Sequence, residues 1–226
     1  MSVFADCAER WSGTPHTFEQ KGYNQHVFMH GGGCAGFTTV WLRLLSQGHT
    51  IDALKIGTER VFDDAQWIMQ AGTKLSPRSS PALKRQWSGH AEEDRGKRIR
   101  LYMAQHALYR SCKDSRFDKL NLVEIARTVA QQRGYYYLAL SNLDMDNLEA
   151  MEELLAHAVG FVLTAELLAF FDPNCGSVTW GVAEIEKFQN FMVDFGGTAY
   201  SGWLDGEGYL ARFHRHLWRD DKPVIF

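Results

Sequence analysis

"MHGGGCAGFTTVWLRLL", residues 29–45, supports two architectures. Gly31, Gly33 and Gly36 fit G-x-G-x-x-G, the turn that seats a dinucleotide pyrophosphate on a helix N-terminus. The same residues place Cys34 at the mouth of an apolar helix, where unpaired N–H groups and the helix dipole favour a thiolate. The helix is expected because Phe37, Val40, Trp41, Leu44 and Leu45 recur at i, i+3, i+4, i+7 and i+8, and "QGHT" (47–50) ends it. A phosphate-binding P-loop is excluded, since Phe37 stands where the lysine is required. The dinucleotide reading needs a βαβ unit and an acidic residue about 20 positions on. "HVFM" (26–29) could supply the first strand, but Asp52 lies 16 residues beyond Gly36 and no parallel strand leads to it. A dinucleotide-binding domain is therefore the distant alternative.

Outward from this stretch, the pattern predicts helices first and strands later. "TERVFDDAQWIMQAG" (58–72) places Val61, Phe62, Ala65, Ile68 and Met69 on one helical face, with Thr58 as N-cap. "GTKLSPRSSP" (72–81) is a loop. A long amphipathic helix is expected over 90–110 through Ile99, Leu101, Tyr102, Met103 and Leu108, and another over 120–132, stopping at Gly134. "YYYLALS" (135–141) then suits a strand, and "DNLEAMEELLA" (146–156) returns to helical spacing. "HAVGFVL" (157–163) and "LLAFFDP" (167–173) suit two strands joined by a tight turn, and "GSVTWGV" (176–182) a third. "EIEKFQNFMVDF" (184–195) is a helix ended by Gly196-Gly197, and "GYLARFHRHLW" (208–218) closes the sheet. This order is α+β with a mainly antiparallel sheet. No repeat or linker interrupts it, so residues 1–226 are read as a single domain.

The composition is that of an ordinary globular protein: 226 residues, 45% hydrophobic and 23% charged. A net charge of −3 gives no basis for a nucleic-acid or anionic-membrane surface, and "RGKRIR" (95–100) after "EED" (92–94) reads as a solvated helix face. The four cysteines, Cys7, Cys34, Cys112 and Cys175, are scattered without a CxxC, which favours a reducing compartment. "MSVFADCAERW" lacks the features of a signal peptide, and no membrane span is visible.

A nucleophilic thiol needs a base, and the base needs an orienting carboxylate or amide. Among nine histidines, His157 opens "HAVGFVL", while Asp172 ends "LLAFFDP". If the two strands pair around 164–166, with 163 opposite 166, then 157 lies opposite 172 and the carboxylate reaches the imidazole. A zinc site from Cys34, His30, His157 and Cys175 has no two ligands at the spacing of one short loop.

"GGGCAGFTTVWLRLL", "HAVGFVL" and "FFDPNCG" together resemble the YopT/AvrPphB type of cysteine peptidases, bacterial effector proteases of the papain clan. The resemblance spans residues 31 to about 176. It implies a papain-like α+β fold, with a helical lobe carrying the nucleophile helix packed on a sheet carrying His and Asp. It implies Cys34 as nucleophile, His157 as general base and acid, and Asp172 as the orienting carboxylate. Trp41-Leu42 and Phe170-Phe171 match the family's packing positions. Ala156 departs from a glycine common before the histidine, and Cys175 stands in "DPN-x-G" where an aromatic residue is commoner, as a core thiol or a redox partner. Papain-like enzymes form the oxyanion hole from the nucleophile's own N–H and from a Gln or Asn some five or six residues earlier. Here those positions hold Phe28 and Met29, so Gln25, nine residues upstream, is the candidate beside the Cys34 N–H, with Asn24 and His30 as rivals.

The implied activity is cysteine endopeptidase action on a protein substrate, with no cofactor and no metal. Acyl transfer to amines, glutamine deamidation and a catalytically silent binding module are the alternatives. The family further implies secretion by a specialised bacterial system without a classical signal peptide, and action in the target-cell cytoplasm. The expected partners are a protein substrate and an immunity protein, inhibitor or chaperone.

Overall fold

The apolar runs of the second half become the centre of one sheet, and they are apolar throughout because both faces of that sheet are covered. A computed structural model of the chain describes residues 2–18, 33–54, 59–69, 99–111, 115–117, 119–141, 156–201, 206–215, 218–219 and 222–223. In chain order its elements are α1 (Val3–Arg10), β1 (Thr14–Thr17), α2 (Cys34–Ser46), α3 (Glu59–Met69), β2 (Tyr109–Arg110) and β3 (Ser115–Phe117). They continue as α4 (Leu122–Gln131), β4 (Gly134–Ser141), β5 (Ala156–Leu163), β6 (Leu168–Asp172), β7 (Gly176–Trp180), α5 (Ile185–Ala199), β8 (Glu207–His214), β9 (Trp218–Arg219) and β10 (Lys222–Pro223). Residues 99–105 are also helical. The main sheet runs β1-β7-β6-β5-β4-β8-β2, with β3 also on β8, and every described pairing is antiparallel.

Alternation of side chains along the strands divides the interior into two cores. Tyr135, Tyr137, Ala158, Val162, Ala169 and Phe171 face α2, α3 and residues 99–105. Tyr136, Leu138, Val159, Phe161, Leu168 and Phe170 face α1, α4 and α5. Helix α2 lies between the sheet and the outer helices, so all of its residues are buried. Val61, Ala65 and Ile68 on α3 are buried as their spacing predicts. No helix among the described residues is long and apolar enough to cross a membrane.

Several expectations need correction: the helix expected over 90–110 ends at residue 105, ahead of β2. Leu101 is 54% exposed, because Ile99, Tyr102 and Met103 form the buried face of that helix. Gly134 does not merely stop a helix: α4 ends at Gln131, and Gly134 is the first residue of β4. Helix α5 does not end at Gly196-Gly197 but runs through both to Ala199. There Leu122 of α4 packs onto Gly196, where a Cβ would come within 2.2 Å of its Cδ1. Close packing thus outweighs glycine's low helix propensity. Strand β1, "TPHT", was not anticipated; it is a short edge strand, where proline is tolerated. Thr58, Cys112, "HVFM" and the loop 72–81 lie outside the described residues, as does most of the helix expected at 146–156, whose last residue instead opens β5.

Candidate active site

Cys34 is the first residue of α2, with Gly33 as N-cap and the Phe37 N–H donating to the Gly33 carbonyl at 2.9 Å. The first-turn N–H groups therefore point out of the helix end that carries the sulfur, where the dipole is positive. Gly36 has a packing role: a Cβ there would lie 2.5 Å from the Ala65 carbonyl oxygen, so its absence lets α3 rest on α2. With Gly36 so used and every described strand pairing antiparallel, the dinucleotide reading falls.

Small residues seat α2 on the sheet beside the site. The Thr38 hydroxyl donates to the Ala158 carbonyl at 3.0 Å. A Cβ at Gly160 would come within 3.1 Å of the Trp41 ring, which stacks on Phe171 at 4.9 Å between centroids. "HAVG" thus presents Ala158 and Gly160 to the helix while His157 stands at the strand's opening end.

Asp172 reaches His157, although not through the expected register. Leu163 pairs with Leu168 and Gly160 with Phe171, so the hairpin is shifted by two in the pairing sum and Asp172 lies level with Val159. The turn sets this: the Thr164 N–H donates to the Leu167 carbonyl at 2.8 Å, and the Thr164 hydroxyl accepts from the Glu166 and Leu167 N–H groups. Ala165 and Glu166 become the loop. His157 and Asp172 are then diagonal neighbours on one face, still within side-chain reach. The His157 Nε2–H donates to Asp172 Oδ1 at 3.0 Å, both side chains being buried.

The rest of "FFDPNCG" shapes that carboxylate. Phe170 and Phe171 enter opposite cores. The Asn174 N–H donates to Asp172 Oδ1 at 2.8 Å, and the Cys175 N–H donates to the Asp172 carbonyl at 3.0 Å. Gly176 has φ +127° and a Cβ there would sit 2.1 Å from the His16 carbonyl oxygen, so both conformation and contact with β1 demand glycine. Tyr200, just past α5, donates its hydroxyl to Asp172 Oδ2 at 2.6 Å. Tyr200 had not been singled out; ending the helix at Gly196-Gly197 hid the turn that delivers it.

Charge follows from these contacts. Burial alone would lower the His157 pKa, but hydrogen bonds to Asp172 and to Cys34 outweigh it and raise the imidazole to about 10. Burial would raise the Asp172 carboxyl, yet the bonds from His157, Tyr200 and Asn174 hold it below its usual range. Since Nε2 is committed to Asp172, Nδ1 is the ring nitrogen that turns to the sulfur. The arrangement places the imidazole between a buried carboxylate and the sulfur at a helix N-terminus.

Gln25, Asn24 and His30 lie outside the described residues. Cys175 is partly buried against the α5-side core. Among the described residues, no three His, Cys, Asp or Glu side chains stand together as a metal site.

No protein-family model and no curated protein matches the chain. Among solved structures, the Pseudomonas avirulence protein AvrPphB aligns with a TM-score of 0.55 at 15% identity, over 82% of this chain and 93% of that chain. The fold is papain-like. In that frame the helix beginning at Cys34 packs on the antiparallel sheet that carries His157 and Asp172.

Proposed function

We propose that this chain is a cysteine endopeptidase acting on a protein substrate, with Cys34 as nucleophile, His157 as general acid and base, and Asp172 as its orienter. The observation that carries the reading is His157, hydrogen-bonded to Asp172 through Nε2 at 3.0 Å and to Cys34. The Cys34 thiolate attacks the scissile carbonyl, and the Cys34 N–H with an amide donor, Gln25 in this reading, holds the oxyanion. His157 gives its Nδ1 proton to the leaving amine, which departs as the thioester forms. His157 then takes a proton from water, whose hydroxide attacks the thioester, releases the carboxylic acid and regenerates the thiolate beside the imidazolium.

The fold shared with an avirulence protein supports placing the activity in an effector, delivered by a specialised bacterial secretion system to a target-cell cytoplasm. Residues 1–226 then act as a single catalytic domain, and an immunity protein, inhibitor or chaperone is the expected partner in the producing cell. The test is selective alkylation by iodoacetamide at about pH 5–6, where an unactivated thiol reacts slowly. Cys34 is expected to react first, and to lose that preference in His157→Ala. Equal labelling of all cysteines would overturn the reading. Proteome-wide N-terminal profiling in target cells, wild type against Cys34→Ala, then identifies the cleaved bond; a substrate gaining one dalton without cleavage would redirect the assignment to deamidation.

A further inference from the structure

Asp172 is held from the side away from the imidazole, by a residue whose place in the fold suits no solvent-facing role. Tyr200 is 4% exposed, and its N–H caps α5 by donating to the Gly196 carbonyl at 2.9 Å. Its ring meets Phe195 edge-on at 5.8 Å and lies 6.2 Å from the His157 ring. Phe195 in turn packs on Phe170 and Phe4, so the phenol is anchored in the core beneath α5. The hydroxyl ends on Asp172 Oδ2 at 2.6 Å, the length of a charge-assisted O–H···O⁻ bond.

We propose that Tyr200 is a positioning residue of the site: its hydroxyl fixes the Asp172 carboxylate so that Oδ1 faces His157 Nε2 and Nδ1 is turned to Cys34. This rests on the cysteine-hydrolase reading above. A carboxylate free to turn about Cα–Cβ and Cβ–Cγ would otherwise swing between partners. Here Oδ1 is aimed by the Asn174 N–H and Oδ2 by the Tyr200 hydroxyl, two donors from different elements that together leave one orientation. Burial and the neighbouring Asp172 charge push the Tyr200 phenol well above its usual pKa, so the oxygen keeps its proton and remains a donor. The device also couples layers. The nucleophile helix lies on one face of the sheet and α5 on the other, and Tyr200 brings the second layer to the site at the strand ends.

The experiment measures the rate of Cys34 alkylation by iodoacetamide in a double-mutant cycle of Tyr200→Phe and Asp172→Ala. Tyr200→Phe is expected to slow the reaction about tenfold in the wild-type background and to change nothing once Asp172 is alanine. A merely structural residue would slow both backgrounds alike, and that result overturns the proposal. A matched pair removes any folding ambiguity. At position 200, 4-aminophenylalanine fills the space of the hydroxyl and donates, whereas 4-methylphenylalanine fills it and cannot. The first should retain the rate and the second lose it; equal rates overturn the role of the donor. The His157 Nε2-bound proton, followed by ¹⁵N-resolved NMR, should exchange with water faster in the methyl variant than in the amino variant. Wild-type Cys34 without preferential, His157-dependent alkylation would instead sink the hydrolase reading itself, so the two failures are distinct.

Discussion

At the scale of single residues, His157 is governed by opposing influences: burial resists its charge, and Asp172 with Cys34 sustains it. The sign of one experiment follows. Asp172→Asn keeps an oxygen acceptor but removes the negative charge, so the imidazolium loses its proton at lower pH than about 10. The alkaline limb of kcat/KM should move down accordingly, and ¹⁵N NMR titration of His157 checks the same shift directly. Asp172→Ala removes the acceptor as well and should cost on the order of 10²-fold or more in kcat/KM. The three residues that meet here were readable because each stood in a local pattern: a cysteine at a helix mouth, a histidine at a strand start, an aspartate before a turn. Tyr200 stood in no such pattern. Its position depends on how far α5 continues past Gly196, where the helix packs on Leu122, a residue distant in sequence.

At the scale of elements, two glycine contacts decide what moves. A Cβ at Gly160 would press on Trp41 at 3.1 Å and on Thr38 at 3.2 Å, and Trp41 cannot retreat because it stacks on Phe171. Gly160→Ala should therefore lift α2 from β5 at a cost of about 1–3 kcal/mol in denaturant melts. Cys34 alkylation should fall as well, since the lift separates the sulfur from His157. Gly196→Ala offers the opposite lesson. Alanine is better by about 1 kcal/mol in a helix interior, yet Leu122 occupies its place. The substitution should destabilise the wild type and stabilise Leu122→Ala, a reversal of sign that paired urea titrations can read. Strand existence was legible from apolar runs, whereas strand register was not. Thr164 could begin the loop or close the ladder, and its hydroxyl contacts with Glu166 and Leu167 choose the latter.

At the scale of the whole molecule, the α+β order was visible because helical periodicity gives way to continuous apolar strands near residue 134. The double covering of the sheet explains why those strands did not alternate. Segments whose partners come from afar, such as the polar edge strand β1, carried no comparable signal. The buried His157–Asp172 pair also ties global stability to pH. The imidazole titrates near 6.5 unfolded and about 10 folded, so its contribution is full below pH 6.5 and is lost as pH rises toward 10. Asp172 has the reverse sign: its pKa is depressed on folding, so its contribution is present above the usual carboxylate value of about 3.9 and is lost as pH falls below it. Between these limits the pair stabilises the fold most. His157→Gln removes the imidazole from this linkage. Thermal melts of the two proteins across the pH range should therefore show the wild-type Tm falling relative to the variant from about pH 6.5 upward. A constant difference across that range would mean that His157 has the same proton affinity folded and unfolded, and that its contact with Asp172 carries no ionic character.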